Sequence, residues 1–392
     1  MKQKRPPFPE KLSFAKSKKF TMGIELELQL IDPKTLDLSP CSPAILKRLA
    51  PDLQNIKHEL FQSMIEINTQ TRENVGDLEQ DLRASAAQLT EYTAAEGIAV
   101  TAAGTHPTAL YRDRKLFPDE RYERLYERHR WFLRRMMVFG IHFHVGVPTK
   151  EECVSLHNQL LYFLHHLLAL SASSPFWQSE DTGLTSARIS VYESLPTAGH
   201  AYTLKHWAHF ESMLKALYRA GSIESEKDIW WDLRPRPHYG TLEIRICDAI
   251  PSLTKVAAIA AYVHCICLHL EELRKRGKKK PLPPDWFVRE NKWRAARFGL
   301  EAEVISDIKG KTIGIRDEIA QTLHKLKSVM KSLGYENYFK CLNSMLTGET
   351  YYEKQRRILR ETGNLRAIVA ENLAEFESEL HQHPAVRAVS EN

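Results

Sequence analysis

Four short stretches of this chain alternate apolar residues with residues that bind cations or move protons. In TMGIELELQL (21–30), Met22, Ile24, Leu26, Leu28 and Leu30 fall on one face of an extended strand and Gly23, Glu25, Glu27 and Gln29 on the other. The same parity puts Glu66 and Asn68 of SMIEINT, His142 and His144 of VFGIHFHVGV, and Glu243 and Arg245 of TLEIRICDA opposite their apolar neighbours. Glu59, seven residues before Glu66, can enter the same surface from the preceding loop. Carboxylates two apart on a strand stand about 7 Å from each other and repel by about 2 kcal/mol at an effective dielectric near 20. Water screens that cost on an exposed face, whereas a cleft must supply positive charge.

The composition of the set argues for the cleft. Exposed strand faces mix lysine, threonine and serine, but these positions hold no lysine and are dominated by carboxylate and imidazole. Glutamates with histidine and no thiolate suit Mg²⁺ or Mn²⁺ better than structural zinc. Arg245 would hinder a pure metal site, yet it fits one where an anionic ligand, above all a polyphosphate, bridges the ions. A glycine-rich phosphate loop is missing: Gly310-Lys311-Thr312 has Ile305 where such a loop needs its first glycine. Nucleotide chemistry here would rest on metals and side chains.

Such residues need a sheet to hold them. The 392 residues are 43% hydrophobic, enough for a packed core, and the net charge of +6 is concentrated in the N-terminal KQKR and KSKK and in RKRGKKKP (274–281). These runs read as solvated tails or linkers. Residues 1–19 are expected to be a disordered basic tail and 20–385 a single domain, helical from about 285. Strands are expected at 21–31, 63–69, 98–105, 138–147 and 241–249, with helices after Ser42-Pro43, from Asn74 to Gly97, over about 119–135 and beyond Pro251. The class is α+β, a sheet with helices on one face and the other face free to be a site. Cys41, Cys153, Cys247, Cys265, Cys267 and Cys341 lack metal-knuckle spacing, and the N-terminus has no apolar leader, which fits a cytoplasmic protein. The apolar segments 160–172 and 256–270 are short and broken by histidines, and read as buried helices.

MGIELELQLID, FQSMIEINTQTR, AAGTHP, GIHFHVGVP, SARISVYESLPTAGH and WWDLRPRPHYGTLEIRICDA resemble, in order, the motifs of the type 2 glutamate–cysteine ligase family of carboxylate–amine ligases. A weaker likeness continues through NKWRAARFGLEAEVI (291–305). The resemblance implies a glutamine-synthetase-like fold: a curved antiparallel sheet of about six strands, helices on its convex face, and ATP with two or three Mg²⁺ (or Mn²⁺) ions on its concave face. It implies one metal group of Glu27, Glu59 and Glu66 and a second of Glu25, His142 and Glu243. Arg245, with Arg234 and Arg236, is then expected at the nucleotide phosphates, and Glu243 and Arg245 in the catalytic centre. Arg188, His144 and His106 are expected at the substrates, with the loop 173–201 as a cover. The implied reaction is phosphoryl transfer from ATP to a carboxylate, then displacement of phosphate by an amine, as in joining L-glutamate to L-cysteine. A homodimer is compatible with this reading; nucleic acid and membrane are not expected partners.

Each assignment has an ordinary counterpart. Arg188 could be a plain loop residue, His106 a turn residue before Pro107, and Trp230 and Trp231 core or cavity wall. Two other functions also fit the residues: a nucleotide-binding regulator of the same fold without turnover, and a polyanion-binding adaptor using the basic runs, which predicts steep salt dependence. A ligase for a different amine acceptor is equally compatible, since fold does not fix substrate.

Overall fold

The computed structural model describes residues 9, 12–49, 53–278 and 282–381. Seven strands form one antiparallel sheet: β1 (Met22–Ile31), β2 (Ile56–His58), β3 (Met64–Asn68), β4 (Ala99–Thr101), β5 (Gly140–Gly146), β6 (Leu233–Arg236) and β7 (Thr241–Asp248). Their order is β6-β7-β5-β1-β3-β2, with β4 also paired to the end of β1. Directly opposed residues share a face. The register therefore sets Glu25 between Asn68 and His142, Glu27 beside Glu66, and Gly23, His144, Glu243 and Arg234 in one row.

The apolar parity builds the other side. Leu26, Leu28, Ile65, Ile67, Ile141, Phe143, Leu242 and Ile244 are all completely buried. Over them lies the helix Val75–Ala94, capped by the Asn74 side chain on Gly76 N–H and followed by Gly97 at φ 68°. The helix Leu253–Lys275 packs beside it. It is long and apolar enough to cross a membrane, yet 78% of its apolar window is buried within the protein. All six cysteines are free thiols.

Four features differ from the expectations. β2 and β6 are strands that the alternation did not reveal; β6 tolerates Pro235 because it is the sheet edge, where one row of N–H groups needs no partner. The charged helix breaks into Glu120–His129 and Trp131–Arg134 at Arg130, whose φ is 48°. Among the described residues beyond Pro251, the helices are interrupted by a hairpin of Glu303–Ile305 and Thr312–Gly314, and Gly310 sits in its turn at φ 86°, so the Gly-Lys-Thr triplet joins two strands. Residues 12–19, expected to be tail, run along the sheet end: Ala15 N–H donates to Pro237 O, Phe20 N–H to Gly146 O, and Lys19 pairs with Glu152 and Glu271. Their path needs two glycines, since a Cβ at Gly146 would stand 2.4 Å from Lys18 O and one at Gly240 2.2 Å from Ala15 O. The rest of the expected tail (1–8, 10 and 11) and part of the second basic run (279–281) lie outside the described residues.

One irregularity reshapes the polar face. Ile244 opposes Phe143 but Cys247 opposes Ile141, so β7 carries one extra residue in a β-bulge. Parity reverses there. Asp248, which strict alternation assigns to the core side, comes to lie opposite Gly140 on the carboxylate face.

Candidate active site

The polar face floors a cavity of about 290 Å³. Glu25, Glu27, Glu59, Glu66, His142, Arg188, Arg234, Arg236 and Arg245 all reach it, from strands and loops far apart in the chain. Glu243 and His144 lie against this group without being among the cavity's lining residues.

Glu27, Glu59 and Glu66 present carboxylate oxygens within 4.8 Å of one another. Gly140 N–H donates to Glu27 Oε2 at 2.5 Å. Burial pushes the Glu27 carboxyl up, although Arg188, Arg245 and the Gly140 amide oppose it. Burial raises Glu59 too, with the Glu27 charge adding to it. Glu66 is driven well above the carboxylate range by burial and by the charges of Glu25, Glu59 and Glu27. The three resist being ionised together unless a cation joins them.

Glu25 is the pivot of the remaining donors. Its Oε2 is 3.0 Å from His142 Nδ1 and its Oε1 is 3.2 Å from His144 Nε2. Two further metal-competent trios result, Glu25 with Glu66 and His142, and Glu25 with His144 and Glu243. The expected trio of Glu25, His142 and Glu243 is thus redistributed: His142 Nδ1 is 3.9 Å from Glu243, and it is His144 that joins Glu25 and Glu243 in a metal-competent trio. Burial, reinforced by Arg245, lowers the His142 pKa to about 4, which keeps its imidazole neutral as a ligand must be. The Nε2 atom of His142 is buried without a hydrogen-bond partner. Crowded carboxylates and a partnerless imidazole nitrogen on one surface fit hard divalent cations.

Facing the acids is a guanidinium group. Arg234 grips Glu243 with both prongs, Nε to Oε2 at 2.8 Å and Nη2 to Oε1 at 2.9 Å, and gives Nη1 to Ile229 O at 2.7 Å. Arg245 Nη1 also donates to Glu243, and Arg236 Nε stands 3.6 Å away. Burial alone would raise the Glu243 carboxyl, but Arg234, Arg245, His144 and Arg236 together hold it far below the usual range. With its donors committed to Glu243 and to main-chain carbonyls, Arg234 braces this group, and Arg236 and Arg245 are better placed to meet an anion in the cavity. Arg236 lies over the Tyr239 ring, and Arg245 Nε donates to Tyr192 Oη at 3.1 Å.

Two residues expected at the substrates have main-chain partners in the structure, and of the two only Arg188 lines the cavity. Arg188 is buried, with Nη2 on Arg245 O at 3.0 Å and Nη1 on Ile246 O at 3.4 Å, so it binds the carbonyls that the bulge turns out of the ladder. A Cβ at Gly140 would stand 2.1 Å from Arg188 Nη2, which explains the glycine opposite Asp248. His106 lies elsewhere: its Nε2 is 3.0 Å from Leu36 O and its Nδ1 accepts from Ala109 N–H at 3.1 Å, as a turn residue would. The first part of the expected cover is pinned to the sheet, because Ser173 N–H, Ser174 Oγ and Ser186 Oγ all donate to buried Asp248. Sequence reasoning missed Lys57, Arg121, Tyr122, Tyr192, Lys227 and Tyr239, which complete the cavity. Only Lys57 had a readable signal: it opposes Glu66 on the unrecognised strand β2.

Residues 21–376 match glutamate–cysteine ligase family 2. A protein of Bdellovibrio bacteriovorus provisionally named glutamate–cysteine ligase 2 is 41% identical over 95% of this chain and 98% of its own length. A protein of Thermobifida fusca with the same provisional name is 40% identical over 93% of each chain. Among solved structures, the glutamate–cysteine ligase of Francisella tularensis in complex with AMP superposes with a TM-score of 0.68 at 14% identity, covering 96% of this chain and 95% of that one. The bifunctional glutathione synthetase of Pasteurella multocida gives 0.69, also at 14% identity, over 93% of this chain and 53% of that one. At these identities the structures establish a shared fold.

Proposed function

The chain belongs to glutamate–cysteine ligase family 2 and is an ATP-dependent ligase, and from that premise we propose that it forms an amide through an acyl phosphate. The proposed pair is L-glutamate and L-cysteine, giving γ-glutamylcysteine, ADP and phosphate. One observation carries the reading: a crowded group of carboxylates and neutral imidazole faces a guanidinium group across a single cavity. Two or three Mg²⁺ ions held there would neutralise the β- and γ-phosphates.

The protein's own part is position and charge. Glu27, Glu59 and Glu66 offer one set of hard ligands and Glu25, His142, His144 and Glu243 the other. Arg236 and Arg245 meet the transferring phosphoryl oxygens, while Glu243 fixes both guanidinium groups by charge and contact. A substrate carboxylate oxygen attacks the γ-phosphorus and ADP leaves. An amine nitrogen then attacks the acyl carbon, and phosphate departs as the amine loses its proton. The enclosing residues Tyr122, Tyr192, Trp230 and Tyr239 limit water at the activated acyl group.

Mg-ATP, glutamate and hydroxylamine test this directly. The expected products are ADP, phosphate and a γ-glutamyl hydroxamate, and a panel of amines in place of hydroxylamine ranks the acceptors. AMP and pyrophosphate in place of ADP would overturn the mechanism.

A further inference from the structure

We propose that Lys292, which does not line the cavity, is a positioning residue that aims Arg245 through two buried carboxylates; the proposal rests on the role given to Arg245 above. Lys292 lies in the helix Asp285–Phe298, is 3% exposed, and its Nζ donates to Asp232 Oδ2 at 2.5 Å and to the Glu193 carboxylate.

Asp232 itself holds Arg245, and Glu193 directly follows a residue that does. Asp232 receives the Arg245 backbone N–H on its own carbonyl at 2.8 Å and donates its N–H to Gly199 O at 2.7 Å. Glu193 follows Tyr192, whose hydroxyl receives Arg245 Nε at 3.1 Å and donates to Trp230 O at 2.5 Å. Main chain and guanidinium of Arg245 are thus fixed from two segments, and Lys292 ties those segments together. The approach of Glu193 is built in, because Gly199 has φ 85° and a Cβ there would stand 2.5 Å from Glu193 Cγ.

The arrangement exceeds what helix attachment requires. Asn291, the preceding residue, already bonds Ile305 N–H and Ile305 O at 2.8 Å each, and Ala296 O receives Thr185 and Ser186 N–H. One cation serves two carboxylates, and Asp232 Oδ1 is buried without a partner. Loss of Lys292 leaves two like charges side by side, and their separation displaces both anchors of Arg245.

The full-length protein with Lys292→Met is compared with Lys292→Arg, with Arg245→Lys, and with Lys292→Met combined with Asp232→Asn, which lessens the buried charge should the single variant fold poorly. Two readouts are taken: steady-state ADP release with glutamate and hydroxylamine, and Mg²⁺-dependent binding of ATP against ADP without amino acid. Lys292→Met, alone or with Asp232→Asn, is expected to lower kcat about tenfold or more with the KM for glutamate within about twofold, and to erase the preference for ATP over ADP as Arg245→Lys does. Lys292→Arg is expected to recover most of both. A folded Lys292→Met variant that keeps kcat and the ATP preference would overturn the proposal, and so would a defect shared equally by kcat and KM that tracks only the loss in Tm. If wild type releases no ADP with any acceptor, the ligase reading fails, and the binding readout still decides the role of Lys292.

Discussion

Among the described residues, the protein buries two groups of glutamate and histidine, one on each side of its sheet. Behind β7, Glu318 Oε2 receives His165 Nε2 and His166 Nε2, each at 2.9 Å, while its Oε1 receives the Tyr162 hydroxyl and Tyr262 Oη closes on His166 Nδ1 at 2.9 Å. The three ligand-type atoms are close enough to surround an ion, as those on the cavity face are. Yet each has a hydrogen-bond partner already. On the cavity face His142 Nε2 has none, and three carboxylates crowd together. Identical residue types therefore serve opposite ends: a closed network needs nothing further and locks helices together, whereas an open one has its remaining valences directed at a ligand.

The largest effect should come from crossing this divide by mutation. Glu27→Gln is expected to lower turnover by about three orders of magnitude while leaving Tm in chelator unchanged or raised, since it relieves repulsion. Glu318→Gln should do the reverse: turnover within about twofold, but Tm lowered by several degrees as buried donors lose a charged acceptor. Activity and melting curves on the two variants check the contrast.

A smaller effect separates the two histidines. His142 reaches the cavity and its Nε2 is 3.6 Å from Glu27, whereas His144 is tied by Nδ1 to Thr241 Oγ1 at 3.0 Å and is not among the cavity's lining residues. Both belong to metal-competent trios. His142→Ala should raise the Mg²⁺ concentration for half-maximal rate by about tenfold or more, and His144→Ala by less, with part of its effect in the KM of a substrate. Metal titrations of the rate would reveal a reversed order.

The smallest and most diagnostic effect is the sign of pH dependence. Burial and neighbouring charge raise the Glu66 pKa well above its unfolded value, so its favourable contribution is complete below about pH 4.5 and is lost as pH rises through the folded pKa. Glu318 behaves oppositely: burial alone would raise its pKa, but the bonds from His165 and His166 lower it, so its contribution is present above about pH 4.5 and lost as pH falls. In chelator, Glu66→Gln should flatten the decline of Tm on the alkaline side and Glu318→Gln the decline on the acid side.

The divide also marks what the sequence could disclose. Strand parity found Glu25, Glu27, Glu66, His142, His144, Glu243 and Arg245, because a period of two survives wherever one face is greasy. It failed at β2 and β6, which are too short, and in the second case too proline-marked, for alternation to register. It could not place Asp248, since a bulge is a property of paired strands and leaves no trace in one strand alone. Arg188 was noticed, but its task was invisible for the same reason: the carbonyls it binds are freed by that bulge. Nothing local separates His165, His166 and Glu318 from a metal site. Only the completed hydrogen bonds do.

Mn²⁺ binding without nucleotide, followed by the loss of the free-ion EPR signal, tests the central claim most directly. Wild type and Glu318→Gln should bind the ion alike, and Glu66→Gln, which breaks two of the three cavity-face trios, should bind it at least about tenfold more weakly. Binding that survives Glu66→Gln and disappears in Glu318→Gln would place the cation on the other side of the sheet and contradict the account.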